Sequence, residues 1–196
     1  GGLMRRLSGR RAEWRWVGVD VEPLACELAR ERVAGGTITE ASVMSLPFGE
    51  ATFDGVVSAD VLYHVDDDRA ALREFFRVLR PGGVLVINVP AYRWLWSYHD
   101  EAVHSRRRYG RREVLAKLQA AGFVEARATH WNALPLPLVA MRRKLLPAPR
   151  DGSDVRVLST PLEAALRGAM AMERAWLAGF GSLPFGSSIF AVARKP

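Results

Sequence analysis

Several things are scarce in this chain of 196 residues. It holds a single cysteine, Cys26. That excludes a disulfide framework and a thiolate zinc site, and it points to a reducing, cytoplasmic setting. Cys26 falls in a helix-period segment, where a buried inert thiol is the expected reading. Histidine occurs four times, and the spacing of His64, His99 and His104 with Asp100 matches no ligand motif, so no metal is expected. Lysine is confined to positions 117, 144 and 195, which makes nearly all the positive charge arginine. No apolar run reaches the roughly 18 residues of a membrane span. Internal repeats and low-complexity tracts are absent as well.

What is there is a globular composition, 49% hydrophobic and 25% charged. The length suits one domain, residues 1–196, with a substantial core. The net charge of +7 and the pI near 10.3 admit nucleic acid, a membrane surface, an anionic substrate or a solvated basic face.

The stretch Phe53 to Pro90 organises the rest. A short apolar run, Gly55 to Ala59, lies between Asp54 and Asp60. A helix-period segment follows over Asp67 to Leu79, with Asp66, Asp67 or Asp68 available to cap it. Pro81-Gly82-Gly83 stops that helix, and Val84 to Val89 reads as a second strand. Strand, helix and strand form a right-handed parallel crossover, whose ligands bind beyond the carboxyl ends of the strands. Those ends are Ser58-Ala59-Asp60 and Asn88-Val89-Pro90.

Elsewhere, short strands are expected at Trp14 to Val19 and Thr37 to Ala41, and helices at Leu3 to Leu7 and Pro23 to Val33. Ala91 to Tyr109 reads as a long aromatic and basic loop, Arg111 to Ala121 as a helix, and Phe123 to Trp131 as a strand. The stretch 133–186 reads as a helical insertion or lid, with a polar loop over Arg150 to Thr160 and a helix over Pro161 to Leu177. Ser188 to Ala193 is the closing strand. The alternation predicts an α/β fold with a mainly parallel sheet.

Asp20 closes the run Val17-Gly18-Val19. An acid at the end of such a strand can accept both hydroxyls of a ribose. Gly1-Gly2 stands upstream at the spacing expected between a glycine-rich ligand loop and that acid, about 20 residues.

In combination these motifs resemble the class I S-adenosylmethionine-dependent methyltransferases. The residues carrying the likeness are Gly1-Gly2, Val17 to Asp20, Leu46-Pro47-Phe48 with Phe53-Asp54, Ala59 to Val65, and Leu79 to Gly83. A narrower likeness is to bacterial small-molecule methyltransferases with a loop like His99-Asp100 and Arg107-Arg108-Tyr109. The resemblance implies a Rossmann-like methyltransferase sheet, mostly parallel with an antiparallel last strand, and S-adenosylmethionine as cofactor. It implies that Gly1 and Gly2 end the loop around the methionine part, Asp20 holds the ribose and Val21 packs on adenine. Ser42 falls where many members carry an adenine-binding Asp, with Val43 following as a packing contact. Ala59 and Asp60 would flank the sulfonium. The family's first strand has no counterpart here. The expectation is therefore an N-terminally truncated chain, with a gap between the strands ending at Asp20 and Ala59, that binds cofactor weakly.

Methyl transfer is an in-line displacement on an already activated sulfonium carbon, so the protein mainly positions the partners. A base is needed only where the acceptor must lose a proton. The candidates are His64, His99 and His104. Acceptor contacts are expected from Tyr63, Trp94, Asp100, Arg107, Arg108 and Tyr109, the arginines suiting a phosphate or carboxylate on a small molecule. Residues 133–146 combine apolar bulk with Arg142-Arg143-Lys144, a pattern that fits peripheral membrane contact as well as a lid. A non-catalytic methyltransferase-like binding module and an RNA methyltransferase are the competing readings. The second rests on charge alone, since no RNA-binding module is appended. A dehydrogenase would share Asp20, but the Arg80 to Gly83 turn and the Leu-Pro-Phe loop favour methyl transfer.

Overall fold

The computed structural model describes residues 2–11, 13–33, 35–147 and 160–196. The elements run α1 (Gly2–Ser8), β1 (Val17–Asp20), α2 (Pro23–Arg32), β2 (Thr37–Glu40), β3 (Phe53–Ala59), α3 (Asp68–Val78) and β4 (Leu79–Pro90). A 3-10 turn (Arg93–Leu95), α4 (Tyr98–Ala102), α5 (Arg111–Ala120), β5 (Val124–Trp131), α6 (Leu136–Leu145), α7 (Thr160–Phe180) and β6 (Ser188–Arg194) follow. Most of the expected loop over 150–160 lies outside the described residues.

The strands form two sheets. β1 and β2 pair in parallel, Val17 opposite Thr37 and Asp20 opposite Glu40. α2 covers them, and the Cys26 thiol is buried where it donates toward the Asp20 and Thr39 carbonyls at 3.5 and 3.9 Å. It is an inert packing thiol. A Cβ at Gly18 would meet Ile38 Cδ1 at 2.8 Å and Met4 Sδ at 3.1 Å, so those side-chain ends would have to shift. The side chain of Met4 from α1 therefore seats directly on β1.

The second sheet has the order β3-β4-β6-β5. β3 and β4 are parallel, while β6 runs antiparallel to both β4 and β5. Mixed pairing of this kind is what the closing strand was expected to bring. Among the described residues, no strand pairs with both β1 and β3, and the strands fall into two separate sheets.

α3 begins where Asp67 accepts from the Arg69 and Ala70 amides at 2.9 and 3.0 Å. Of the three candidate caps Asp67 serves, and Asp68 instead turns inward. The end of α3 differs from expectation. Leu79 already pairs with Phe53, and the ladder resumes with Val84 opposite Gly55, so residues 80–83 bulge out within a longer β4. Gly82 takes φ 78° in that bulge, a left-handed conformation that glycine adopts freely. The Lys195 ammonium donates to the Phe76 and Leu79 carbonyls, both at 2.8 Å, and so caps α3 from the other end of the chain.

The core lies between this sheet and the pair α3 and α5. Leu85, Ile87 and Val89 of β4 meet Leu72 and Phe75 of α3 and Leu118 of α5, all nearly solvent-free. Each such side chain contributes about 1.5–3 kcal/mol. The stretch 91–109, expected as loop, is shaped by the 3-10 turn and α4. Asp100 accepts from the Ser97 amide at 3.0 Å, which stabilises the first turn of α4.

Candidate active site

The carboxyl ends of β1, β3 and β4 carry the polar groups that could meet a ligand. At the end of β1, one oxygen of Asp20 accepts from the Glu22 amide at 3.0 Å, and the carboxylate is exposed. Val21 beside it is 71% exposed, an apolar surface with nothing packed over it. Ser42 is half-buried and its hydroxyl accepts from the Met44 amide at 3.2 Å, a local turn. Val43 packs on the main core. Gly2 opens α1 with open space where a Cβ would stand, and Gly1 lies outside the described residues.

At the ends of β3 and β4 the groups converge more tightly. Asp60 follows Ala59 with φ 58°, a left-handed backbone costly for most residues. Its amide donates to the Asn88 carbonyl at 3.1 Å, and its carboxylate accepts from the Asn88 amide group at 3.0 Å. Burial raises the Asp60 carboxyl above its usual range, against the opposing hydrogen bond from Asn88 and the nearby His64. The Asn88 side-chain oxygen and the Ser58 hydroxyl are buried without a protein partner. An unsatisfied buried polar group costs about 1–3 kcal/mol. Both orphans therefore fit a polar ligand seated at these strand ends.

Beyond β3 lies the loop that carries Tyr63 and His64. The Tyr63 and His64 rings meet at a tilt of 40° with centroids 4.0 Å apart, and His64 Nδ1 stands 3.4 Å from the His104 carbonyl. Tyr63 is within electrostatic reach of Asp60 and Asp100; burial first, then those two charges, raise its phenol. The basic cluster grips this loop by its backbone. Arg106 donates to the His64 carbonyl at 2.9 Å, and Arg107 to the Val65 and Asp66 carbonyls at 3.0 and 2.7 Å. Arg106 also pairs with Asp66 at 2.6 Å.

Three residues expected on the acceptor lie inside the protein instead. Arg108 and Asp100 are buried, their side chains 3% and 2% exposed, and they form a two-pronged pair at 2.7 and 3.1 Å. Arg108 spends a further donor on the Ala91 carbonyl at 2.9 Å. Tyr109 is buried too, donating its hydroxyl to Asp68 at 2.9 Å. Asp68 also meets the Lys117 ammonium at 2.6 Å and Arg107 at 3.4 Å. Burial pushes the Asp68 carboxyl up, but the hydrogen bonds from Lys117 and Tyr109 outweigh it and hold the group below its ordinary value. Burial and the Asp68 charge raise the Tyr109 phenol. The Arg-Arg-Tyr run lies along an extended segment that bridges to Ala91, whose neighbouring side chains point to opposite sides, and protein covers Arg108 on one side and Tyr109 on the other.

Of the remaining expected residues, Trp94 is exposed and stacks on Tyr92 at 5.8 Å. His99 is half-buried on α4, and His104 is exposed with φ 53°. Sequence reasoning missed His130, which is buried near the end of β5 and stacks on Tyr92 at 5.2 Å. Burial lowers the affinity of its imidazole for a proton. Its place in the alternation with Ala126 and Ala128 was the available signal.

Residues 1–87 match the family model described as a methyltransferase domain. That match covers less than half of the chain. Over those residues the chain is similar to the class I S-adenosylmethionine-dependent methyltransferases. An O-methyltransferase of Aspergillus nomiae is 40% identical over 76 residues, 36% of this chain and 34% of its own length. A chloroplastic 2-methyl-6-phytyl-1,4-hydroquinone methyltransferase of Oryza sativa is 39% identical over 80 residues, 40% of this chain and 23% of its own. The chain thus spans about a third or less of these curated relatives. Among solved structures, a Haemonchus contortus phosphoethanolamine N-methyltransferase in complex with S-adenosyl-L-methionine superposes with TM-score 0.59 at 20% identity. That alignment covers 97% of this chain and 45% of the other, and shows the shared methyltransferase fold. The groups at the strand ends fit S-adenosylmethionine: an exposed acid, an uncovered apolar neighbour and two orphaned polar atoms stand there.

Proposed function

We propose that this chain takes part in methyl transfer from S-adenosylmethionine to a small-molecule acceptor. The observation that supports it best is the pair of orphaned atoms, Ser58 Oγ and Asn88 Oδ1, beside Asp60 at the strand ends. Asp20 would hold the ribose, Val21 would lie against the adenine, and Asp60 with Asn88 would face the methionine part. The bound cofactor supplies an activated methyl group. Every other task belongs to the protein: orienting the acceptor, excluding water and, where required, accepting its proton.

His64 is the best placed base of the three candidates. The His104 carbonyl can only accept, so a neutral His64 carries its proton on Nδ1 and offers Nε2 to the acceptor. Tyr63 and Trp94 would form the acceptor wall. Arg107 acts through the loop it holds, and Asp100, Arg108 and Tyr109 position that loop from inside. The fungal relative's description as an O-methyltransferase favours an oxygen acceptor.

Because β1 and β3 stand on separate sheets, cofactor binding by this chain is expected in the millimolar range. Titration of S-adenosylmethionine followed by two-dimensional NMR tests this. Saturable shifts are expected at Asp20, Val21, Asp60 and Asn88. Asp20→Ala should weaken binding by about tenfold or more, since charge-assisted hydrogen bonds to ribose contribute about 1.5–3 kcal/mol. Shifts that spare these residues, or an unchanged affinity in Asp20→Ala, refute the site.

A further inference from the structure

Three rings stand nearly parallel at the carboxyl ends of β4 and β5. His130 is 7% exposed, Tyr92 is half-buried and Trp94 is 54% exposed. The Tyr92 ring lies 5.2 Å from His130 with the planes 16° apart, and 5.8 Å from Trp94 with the planes 28° apart. The array thus leads from the interior to solvent, with Tyr92 as the shared neighbour. Tyr92 takes φ 59°, a left-handed backbone that is costly for a bulky residue. Its amide donates to the Tyr109 carbonyl at 2.9 Å, and Ala91 bridges to the same residue, so the backbone that carries the ring is fixed.

Two polar groups beside the array are unused. His130 Nδ1 is buried without a hydrogen bond, while the nearby Leu183 carbonyl takes the His130 backbone amide at 3.4 Å. A neutral imidazole can present that nitrogen as donor or as acceptor. Arg111, the first residue of α5, is exposed and has no hydrogen-bond or ion-pair partner among the described residues. It lies within electrostatic reach of His130. Arg93, next to Tyr92, is already paired with Glu113 at 3.5 Å. The shape of the array selects the ligand. Parallel planes extend a stack and offer a flat face, whereas a cage for an ammonium ion needs ring faces that converge. An ammonium would also be repelled by Arg111.

We propose that this array binds a planar aromatic acid as the acceptor, its ring lying on the Tyr92–Trp94 pair and its anionic oxygen meeting Arg111, with His130 Nδ1 gaining in the ligand the partner it lacks. Guanidinium groups suit such an oxygen, and an indole face suits the ring. That the ligand is a methyl acceptor rests on the methyl-transfer reading. Its binding does not, because binding is read without cofactor.

The test is titration of salicylate, without cofactor, followed by two-dimensional NMR with labelled tryptophan and histidine side chains. Saturable shifts are expected at the Trp94 indole, the Arg111 amide and His130 Nδ1. Cyclohexanecarboxylate has the same charge without the flat ring and should bind about fivefold or more weakly. Trp94→Leu and Arg111→Gln alter exposed side chains only, and each should weaken salicylate about fivefold. Arg111→Gln should leave binding of the uncharged benzyl alcohol unchanged. The proposal is overturned by absent or non-saturable shifts, by an unmoved His130 Nδ1, by equal binding of cyclohexanecarboxylate or by full affinity in either variant. Tighter binding of benzyltrimethylammonium than of salicylate also overturns it, since the rings would then serve a cation. Salicylate shifts in a chain that S-adenosylmethionine does not shift would uphold this binding site and remove the methyl-transfer reading. The opposite pattern would remove this site and leave that reading standing.

Discussion

The β1–β2 pair and the β3–β4–β6–β5 sheet are held together by different means. β1 and β2 are four residues each, and neither contains a fully buried residue. Their support comes mainly from Cys26 and Ala29 of α2 and from Met4 of α1. The larger sheet has the main core under it and two buried ionic locks above it, Asp100 with Arg108 and Asp68 with Lys117 and Tyr109. The half carrying Asp20 is thus lightly anchored, and the half carrying the Tyr63–His64 loop is rigidly set. A site that must admit a large cofactor and then align its methyl group within a fraction of an ångström needs rigidity most on the acceptor side.

The sharpest way to break this contrast is to remove one partner of the innermost lock. Arg108→Met leaves the Asp100 carboxylate buried and unpaired, and loss of about 3–5 kcal/mol is expected in urea unfolding. Restoring neutrality with Asp100→Leu in the same chain should recover most of the loss, because a buried pair is often replaceable by apolar residues of like volume. A cost below about 1 kcal/mol for Arg108→Met would mean that the pair is not structural, and would return Arg108 to the acceptor.

The second lock should be next in size. Asp68→Asn leaves Lys117 and Arg107 without their carboxylate and is expected to cost about 2–3 kcal/mol. Its signature is in the acid limb. The folded value of Asp68 lies below the unfolded 3.8, so its contribution is complete above that pH and is lost as pH falls through the folded value. Stability of the wild type against pH should therefore fall more steeply below about pH 4 than that of the variant. Superimposable acid limbs would show that the Lys117 and Tyr109 contacts are not stabilising the charge.

These two locks also mark where sequence reading reached its limit. The strand-helix-strand unit was legible because Phe53 to Pro90 has clean periods, an acidic cap and a proline-glycine stop. Asp20 and Asp60 were legible because each ends an apolar run. Arg107, Arg108 and Tyr109 were visible as a cluster, but alternation along an extended segment sends neighbours to opposite sides, and only the tertiary partners decide which. Asp68 was one of three adjacent carboxylates with equal claim to the cap. His130 lay in a strand of small residues, and its partner Tyr92 is 38 positions away in sequence.

Hydrogen exchange sharpens the contrast without mutation. Amides of β4 and β6, paired on both sides, should be protected close to the global unfolding limit, while those of β1 and β2 should open by a local route. A difference of about 2 kcal/mol, roughly thirtyfold in protection, is expected. Equal protection in both sheets would mean that they unfold together and that the light burial of β1 and β2 is no guide to their stability.

The smallest expected effect is on stability at Asp20 itself. The carboxylate is exposed and makes one hydrogen bond, to the Glu22 amide, so Asp20→Ala should change unfolding free energy by about 0.5 kcal/mol or less. The same change is expected to weaken cofactor binding tenfold or more. Read beside Arg108→Met, the two variants separate the residues that shape the site from those that touch its ligand. If Asp20→Ala instead unfolds the β1–β2 pair, as loss of its exchange protection would show, then this acid anchors the lighter sheet. Its role in holding ribose would then have to be measured in a variant that keeps the turn, such as Asp20→Asn, whose amide oxygen can still accept from Glu22 while losing the negative charge.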